Sequence, residues 1–567
     1  MQRVRIKAYL SPSLVLLALN WADGAQRDDF LGFAIRRAPG FGDEPESWLP
    51  NRIGFDGPAR GDVDFPSNEA PIQKFQWWDA RIDTGDRGRQ FTYTAWPVVG
   101  RPGDLRLLQS ASAKRTVTLP QAVEDGIGTW FNRAVVSSQA FTRRFLRDGR
   151  PLTEERLGEV FDWLSNGMRE VVPEFLDGDV PTDGAIYHLT DEEWIIPAFA
   201  GREPDATEMV YDATTKEDGG AETNAAALEA LAGAVRFHPR TRAKIMHDKF
   251  LVRGRDGAAE ALMMGSANFT TGGLTTQANV MHTFASPRLA ELYRERRKLL
   301  EQNLTLGKTA AHSGWSEVVE VADARVRVFF SPEPTKRRES IDTIIRAIEA
   351  AKSSVLFCLF SPTDKALRDA LFAAGDRGLM MFGLINQISK PKPDATPDAM
   401  HEARVATYNR SRDSRDVYAH AAFPASVRDK GFWFEVTAIP GQPRARFPVH
   451  IHHKFIVIDA ETDDPTVYTG SANMSAGSLH NNDENLLEVK GRTAFAHAYL
   501  AEFMRLYEHY RARAREQRDD PPGGRRRERA RAVPCRRGFA LAHTACWAED
   551  DYTPGTPQCK SRTAMAD

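Results

Sequence analysis

The chain has 567 residues, of which 27% are charged and 42% are hydrophobic, a composition that excludes disordered, collagen-like and disulfide-scaffolded proteins. The 75 basic and 77 acidic residues give a net charge of −2, which excludes a chain-wide basic field for nucleic acid. The charge is unevenly distributed, because residues 511–537 contain eleven Arg and four acidic residues. This local charge of +7 leaves −9 for the rest of the chain.

The apolar segments and the cysteines bear on the compartment. No apolar run approaches the ~20 residues that span a bilayer. The apolar run 14–19 follows three basic residues, as in a signal peptide, but its continuation is typical of a strand, so a cytoplasmic location is favoured over secretion. The four Cys lack zinc-site spacing. Cys358 is predicted to be buried, and a disulfide among the three C-terminal Cys stays open.

Residues 1–120 are predicted to form an antiparallel β-sandwich. Strands are expected over 13–21, 30–36, 73–82 and 91–99, with Gly, Pro and Asp turn signals between them. Five of the eleven Trp lie in this region. We expect these aromatic side chains to form the core more readily than a ligand platform.

The remaining chain shows an α/β pattern that occurs twice. Apolar residues at helical spacing over 157–171 precede an apolar strand over 185–189 and the pair Thr190-Asp191. The same order recurs with a helix over 341–348, a strand over 355–360 and the pair Thr363-Asp364. We therefore divide the chain into a sandwich (1–120), a first half (121–318), a second half (319–512) and an Arg-rich tail (513–567).

A His-x-Lys motif with a downstream Gly-Ser-Ala-Asn also occurs twice. The first copy comprises His247, Lys249, Gly265, Ser266 and Asn268, and the second comprises His452, Lys454, Gly470, Ser471 and Asn473. Sixteen positions separate the Lys from the Gly in both copies. This repeated spacing makes a chance match or two unrelated surface strands an unsatisfactory explanation.

Strand geometry connects these residues to phosphate chemistry. Side chains alternate along a strand, so the His and Lys of each motif share one face while Phe250 and Phe455 point into the core. Two such sets facing each other would supply lysines to neutralise phosphate oxygens and amides to donate hydrogen bonds. One histidine could then attack phosphorus while the other protonates the leaving oxygen.

These motifs resemble those of the phospholipase D superfamily, which has two H-x-K-x4-D motifs, each with a downstream G-S-x-N. The resemblance covers roughly residues 150–510. It implies two pseudo-twofold-related α/β halves with one site at their interface, so a monomer can complete the site. It also implies a metal-independent, cofactor-free displacement through a phosphohistidine. The catalytic residues carried over by position are His247, Lys249, Asn268, His452, Lys454, Asp459, Asn473 and Glu484, with Ser266 and Ser471 as substrate-binding residues.

The two copies differ in their acidic residues. Asp459 has Gly254 as its counterpart, with Asp256 two positions further on, and Glu484 aligns with Ala278 after a one-residue shift. A histidine without a carboxylate partner is less well fixed in its tautomer. One half is therefore predicted to be weaker. By analogy with the family, His247 is the expected nucleophile and His452 the general acid.

The leading hypothesis is a soluble phosphodiesterase that cleaves a phospholipid headgroup, with transfer to an alcohol as a further activity. A nuclease is the alternative within the same chemistry, although the acidic body disfavours it. A degenerate member that only binds phosphorylated ligands is the alternative outside enzymes. The cardiolipin-type synthases often have N-terminal membrane helices, which the sequence does not show.

Three further segments have open interpretations. His450, His452 and His453 could bind a metal, but alternation places His453 opposite His452, so no metal is predicted. An extra ~30 residues within 389–447 would form an insertion over the site or a solvated loop. The Arg-rich tail is expected to be flexible, with contact to a membrane surface or to nucleic acid as the alternative.

Overall fold

The computed structural model describes residues 1–59, 64–134, 141, 144–145, 154–178, 180–215, 219–388, 403–409, 415–419, 451–519, 535 and 540–567. Helices and sheets both occur throughout these ranges, so the fold is mixed α/β. Every helix in the described ranges is too short or too polar to cross a membrane.

The N-terminal region is built from antiparallel strands. In chain order they are β1 (Arg5–Ser11), β2 (Leu14–Asn20), β3 (Phe30–Ala38), β4 (Ser47–Trp48), β5 (Pro50–Asn51), β6 (Ile53–Gly54), β7 (Gly57–Pro58), β8 (Phe65–Pro66), β9 (Gln76–Asp79), β10 (Gln90–Arg101), β11 (Asp104–Leu107) and β12 (Ala113–Thr118). One sheet has the order β1-β2-β9, and another has β11-β10-β3-β4 with β12 beside β10. The four strands predicted from sequence are confirmed.

One hydrophobic cluster joins these two N-terminal sheets. It contains Leu17 from β2, Phe33 from β3 and Tyr93 from β10, all buried. The other face of β2 presents Leu14 and Leu16 to a larger cluster that belongs to the α/β body. The first sheet is therefore packed on both faces, which agrees with the uninterrupted apolar sequence of β2. The sandwich arrangement itself stays a prediction.

The next region contains the strands and helices around the first motif. The strands are β13 (Val123–Glu124), β14 (Ile127–Phe131), β15 (Thr182–Ile186), β16 (Thr207–Asp212), β17 (Val235–Arg240), β18 (Ile245–Met246), β19 (Lys249–Arg255), β20 (Ala258–Gly265) and β21 (Val280–Phe284). The helices are α1 (Glu154–Ser165), α2 (Met168–Leu176), α3 (Ile195–Ala200), α4 (Gly220–Thr223), α5 (Ala225–Ala230), α6 (Thr271–Leu274), α7 (Pro287–Glu301) and α8 (Leu306–Ala310).

The single helix predicted over 157–171 is wrong in one respect, because the structure divides it. Gly167 has a φ of 95°, which lies outside the helical region, and it separates α1 from α2. The periodicity continued across the break, since both helices bury apolar faces.

The second motif lies in a region of similar composition. Its strands are β22 (Gly314–Trp315), β23 (Val319–Val321), β24 (Ala324–Ser331), β25 (Ser354–Phe360), β26 (Met380–Ile388), β27 (Ala403–Asn409), β28 (Arg415–Ala419), β29 (Lys454–Ile458), β30 (Thr466–Gly470) and β31 (Asn482–Lys490). Its helices are α9 (Glu339–Ala350), α10 (Lys365–Asp376), α11 (Ala476–His480) and α12 (Thr493–Asp519). The predicted insertion within 389–447 falls mainly outside the described residues.

The two large sheets share a strand order. The first runs β13-β14-β21-β20-β19-β15-β16-β17, and the second runs β22-β24-β31-β30-β29-β25-β26-β27-β28. In both, the motif strand lies between an antiparallel hairpin partner (β20 or β30) and an antiparallel neighbour (β15 or β25) that starts a parallel pair. Each motif therefore occupies the same place in its sheet. The pseudo-twofold relation of the halves stays a prediction.

The C-terminal residues pack back onto the N-terminal region. They contain α13 (Glu549–Tyr552) and α14 (Pro557–Ala566). Trp547 enters the N-terminal core, and the Tyr552 hydroxyl donates to the Trp21 carbonyl at 2.5 Å. Cys535 and Cys546 form a disulfide, while Cys358 is free and buried. Residues 520–534 of the Arg-rich segment lie outside the described residues, and the four domain boundaries stay predictions.

Candidate active site

The two His-x-Lys motifs lie at the starts of β19 and β29. Lys249 and Lys454 are the first residues of these strands, and their ammonium groups donate to the carbonyl oxygens of His247 and His452, at 2.5 and 2.6 Å. All four residues are buried, with exposures between 1% and 6%. Phe250 and Phe455 lie in the large core on the opposite face, as strand alternation predicted. Each motif therefore presents its polar pair on one face.

Each histidine is held by the other half of the site. His247 Nδ1 lies 3.0 Å from Glu484 Oε2, and His452 Nδ1 lies 3.0 Å from Asn279 Oδ1. The backbone repeats this crossing, because His247 N donates to the Asp483 carbonyl and His452 N donates to the Ala278 carbonyl. The two motifs thus form one site, although 205 positions separate His247 from His452 in the sequence.

The counterpart of Glu484 is Asn279, which corrects the alignment with Ala278. Both residues stand fourteen positions after the Gly of their motif, so no shift is needed. The Ser266 hydroxyl accepts a hydrogen bond from the backbone amide of Val280, and the Ser471 hydroxyl accepts one from that of Asn485. These amides directly follow Asn279 and Glu484 in the sequence. The site therefore has a carboxylate partner for one histidine and a carboxamide for the other.

The predicted substrate-binding serines are fully buried. Ser266 Oγ donates to Asn279 Oδ1 at 2.8 Å, and Ser471 Oγ lies 3.4 Å from Asn485 Nδ2. Both hydroxyls are engaged with the strands β21 and β31, whose starts carry Asn279 and Glu484. Their predicted role in substrate binding stays a prediction.

The motif asparagines each have an unsatisfied polar atom. The Oδ1 atoms of Asn268 and Asn473 are buried and have no hydrogen-bond partner among the described residues. These residues follow the ends of β20 and β30, directly beside the paired His and Lys strands. A buried polar atom without a partner is costly, and its occurrence at both equivalent positions indicates a place prepared for a polar ligand.

Asp459 lies outside this cluster, which corrects its prediction as a catalytic residue. It follows the last residue of β29, and its carboxylate accepts from the backbone amides of Lys352, Ser353 and Ser354, at the start of β25. In the first half a Cβ at Gly254 would collide with the Ala258 carbonyl, so no side chain fits there. Asp256 is exposed in a turn and does not replace it.

Burial and like charge set the electrostatics of the site. Burial, with the two lysine charges, lowers the pKa of both His247 and His452 well below the ordinary range. Burial also lowers the pKa of Lys249 to about 7 and that of Lys454 well below normal, whereas it raises the pKa of Glu484 to about 7. Because cations dominate this buried cluster, a bound anion would stabilise their charged forms.

Aromatic side chains that the sequence analysis missed line both halves. The Tyr187 ring lies 4.9 Å from the His247 ring and 5.0 Å from Lys249 Nζ. Phe360 lies 5.4 Å from the His452 ring and 5.5 Å from Lys454 Nζ. Tyr187 directly follows β15, and Phe360 is the last residue of β25. Both lie in the repeated sequence pattern of an apolar strand followed by Thr-Asp, and this pattern could have identified them.

A buried ionic network supports the first motif. Arg240 Nε contacts Asp483 Oδ2 at 2.8 Å, and Arg296 bridges Asp483 and Asp248 at 3.3 and 3.7 Å. Asn485 Nδ2 donates to the other oxygen of Asp248 at 2.7 Å. Asp248 directly follows His247, and Asp483 directly precedes Glu484. The network therefore connects the two chain segments that carry the His247–Glu484 hydrogen bond.

The corresponding position of the second motif is aromatic. His453 lies between the motif His and Lys, where its ring contacts Phe131 and Phe455 at centroid distances of 5.7 and 5.1 Å. Its Nδ1 atom is buried and finds no hydrogen-bond partner in the described ranges. His450, the third histidine of the metal alternative, lies outside the described residues.

Three potential metal ligands converge elsewhere, at the far strand β17. They are Glu208, His238 and Glu301. Arg297 already forms ion pairs with both carboxylates, at 3.1 and 2.8 Å. Glu208 and Glu301 face different nitrogens of the His238 ring, at 3.8 and 3.6 Å, so the three side chains do not converge on one point through a single ring nitrogen.

Comparison with known proteins identifies part of this architecture. Residues 344–507 match the family model described as cardiolipin synthase, PLD-like domain. No curated protein sequence gives a significant match. Residues 344–507 are therefore similar to the PLD-like domain of that family.

Solved structures give distant matches. Polyphosphate kinase from Porphyromonas gingivalis shares 13% identity over 58% of this chain and 42% of its own, with a TM-score of 0.32. The Nuc protein from Salmonella typhimurium, a phospholipase D family member, shares 20% identity over 24% and 87%, with a TM-score of 0.21. Phosphatidylserine synthase from Haemophilus influenzae shares 10% identity over 61% and 84%, with a TM-score of 0.39. Scores of this size carry no argument about function.

Proposed function

We propose that the protein is a phosphodiesterase that hydrolyses its substrate through a phosphohistidine intermediate. The observation that carries this proposal is the crossed pair of hydrogen bonds, His247 to Glu484 and His452 to Asn279. It unites two His-Lys-Asn sets in one buried site where positive charge predominates. Such a site matches the demands of displacement at phosphorus, which needs charge neutralisation and two proton-transfer groups.

In the first step, His247 Nε2 attacks phosphorus and the bond to the leaving oxygen breaks. Glu484 accepts the Nδ1 proton of His247 in a hydrogen bond and stabilises the positive charge that develops on the imidazole. Burial and the lysine charges lower the pKa of His452 in the free site, and binding of the anionic substrate favours its protonated form. His452 then gives its Nε2 proton to the leaving oxygen, so an alcohol departs. Lys249 and Lys454 neutralise the non-bridging oxygens.

In the second step, water replaces the departed alcohol. The now neutral His452 removes a proton from this water, the hydroxide oxygen bonds to phosphorus, and the bond from phosphorus to His247 breaks. The products are a phosphomonoester, the free His247 imidazole and a reprotonated His452. An alcohol in place of water would give a new phosphodiester by the same steps.

A phospholipid headgroup ester is the proposed substrate. Outside residues 511–537 the chain carries a charge of −9, whereas binding along a nucleic-acid backbone requires many phosphate contacts from basic residues. The positive charge described above is concentrated at one point, which suits a single phosphodiester. A nuclease would use the same chemistry and becomes an outcome of the test below.

The test uses the purified full chain in the presence of EDTA. We expect turnover of phosphatidylcholine vesicles and of bis(4-nitrophenyl) phosphate, and no nicking of plasmid DNA. His247→Ala and His452→Ala are the matched variants. Equal behaviour of the wild type and both variants on every substrate would refute the proposal, and DNA cleavage without lipid turnover would replace the lipid with nucleic acid.

A further inference from the structure

His188 lies next to the first motif, and the mechanism proposed above gives it no role. In the register of β15 with β19, Ile186 lies opposite Lys249. β15 ends at Ile186, and His188 lies two residues beyond this end, where the chain has left the strand. The backbone carbonyl of His188 accepts from Phe269 N, which places it beside the motif asparagine Asn268.

The His188 ring is fixed, yet one of its nitrogens is unsatisfied. The ring stacks on Tyr187, with centroids 3.7 Å apart and an angle of 19° between planes. Tyr187 in turn contacts His247 and Lys249. His188 Nε2 is buried and has no hydrogen-bond partner within the part of the chain that the structure describes, the same condition as Asn268 Oδ1.

The second half has no imidazole at this place. Leu359 lies opposite Lys454 in the register of β25 with β29, so Ser361 is the equivalent of His188. The aromatic residues before them correspond as well, with Tyr187 matching Phe360. His188 is therefore a difference between the halves and not a repeated structural requirement of the fold.

We propose that His188 is a substrate-binding residue that donates a hydrogen bond from Nε2 to a non-bridging oxygen of the phosphoryl group on the His247 side. This inference rests on the proposed function and adds a specificity-determining contact to it. The contact would satisfy the unpartnered nitrogen and would act on the retained phosphoryl group, not on the leaving group, because His452 lies in the other half.

The charge state of His188 fits this contact. Burial and the nearby charge of Lys249 lower its pKa to about 3. The ring is thus neutral near pH 7 and can donate from Nε2 without adding another positive charge to a site that already holds several. Its role is hydrogen bonding, and we assign it no proton transfer.

The test compares three variants of the full chain by steady-state kinetics on bis(4-nitrophenyl) phosphate and by inhibition with inorganic phosphate. His188→Phe keeps the stack on Tyr187 and removes the donor, and we expect kcat/KM and phosphate affinity each to fall about tenfold. His188→Gln restores a donor and is expected to return both to within about threefold. Ser361→Ala, the matched control in the other half, should leave both within about twofold.

Two results would overturn the inference. One is a His188→Phe variant with wild-type kcat/KM and wild-type phosphate affinity. The other is a His188→Gln variant as impaired as His188→Phe, which would show that the ring and not the donor matters. Equal thermal unfolding midpoints for all variants exclude misfolding as the cause.

A second measurement distinguishes failure of the proposed function from failure of the inference about His188. If the wild type does not turn over any phosphodiester, the phosphohistidine proposal fails. Direct calorimetric titration of inorganic phosphate into the wild type and His188→Phe then decides the inference alone. Weaker binding by His188→Phe supports the contact, and equal binding refutes it.

Discussion

In the first half of the site the histidine has a carboxylate partner, whereas in the second half it has a carboxamide. Glu484 contacts His247 and Asn279 contacts His452, at the same distance of 3.0 Å and at equivalent positions. A carboxylate stabilises a positively charged imidazole and a carboxamide does so much less. In the proposed mechanism this difference suits the two histidines to different tasks, with His247 to carry the phosphoryl group and His452 to release and recover a proton.

The surroundings repeat this difference. Beneath the first motif, Asp248 is tied to Arg296 and Asn485 in a network with no exposed member. Beneath the second motif, His453 packs against aromatic rings and leaves Nδ1 unpartnered. The first motif is thus held by ionic contacts and the second by apolar packing, so the two can be disturbed independently.

The largest expected effect separates the two histidines by leaving group. His247→Ala should lower kcat on every substrate by about 10⁴-fold or more, because it removes the nucleophile. His452→Ala should lower turnover of a substrate with an alkyl leaving group by about 10²–10⁴-fold. With 4-nitrophenolate, which leaves without protonation, His452→Ala should still release one equivalent rapidly in a stopped-flow burst. A burst from His247→Ala and none from His452→Ala would reverse the assignment.

The next effect concerns stability beneath the motifs. Arg296→Met leaves two buried carboxylates with one counter-charge fewer, and the free energy of unfolding should fall by about 3–5 kcal/mol. His453→Leu, its counterpart in the second half, removes an unsatisfied nitrogen from an apolar site and should change it by less than about 1.5 kcal/mol. Urea unfolding measures both. Equal losses would contradict the distinction between ionic and apolar support.

A smaller effect tests the histidine partners directly. Glu484→Gln keeps the size of the side chain but removes its charge, and kcat should fall by about 10²-fold or more. Asn279→Ala removes a neutral partner, and kcat should fall by about tenfold. Single-turnover kinetics on bis(4-nitrophenyl) phosphate compares the two variants. A larger loss for Asn279→Ala would mean that the carboxylate is not the distinguishing feature.

The pH dependence of kcat/KM should give the smallest effect, a decline of about tenfold per pH unit on both the acid and the alkaline side. Glu484 has its pKa raised to about 7, so kcat/KM should fall as pH decreases and this carboxylate becomes protonated. Lys249 has its pKa lowered to about 7, so kcat/KM should also fall as pH increases and the ammonium loses its proton. In Glu484→Gln the decline on the acid side should disappear. A wild-type plateau to pH 9 would show that Lys249 stays charged.

Local patterns predicted much of the fold and the members of the site. The strand β2 was readable because its apolar run is continuous, and β19 and β29 were readable because each begins at a His-x-Lys motif. The break at Gly167 was missed because apolar periodicity continues through it. Asp459 and the motif serines were assigned from the family, and the structure engages them with backbone and neighbouring strands.

The crossed contacts could not be read from either copy alone. Glu484 lies in the second copy of the motif, but its side chain contacts His247 of the first copy. This pairing depends on how the two halves meet, where β18 pairs with β31. Asn279 differs from Glu484 in residue type, so a pattern that expects a carboxylate does not identify it. Tyr187 and His188 precede both motifs in the sequence, and the pairing of β15 with β19 brings them to the site.

The most direct test of the division of labour is to trap the intermediate. His452→Ala is mixed with bis(4-nitrophenyl) phosphate, quenched in alkali within the burst, and mapped by mass spectrometry of its peptides. The account predicts a phosphoryl adduct on His247, with none in the His247→Ala, His452→Ala double variant. An adduct on any other residue, or a burst of nitrophenolate without an adduct, would contradict it.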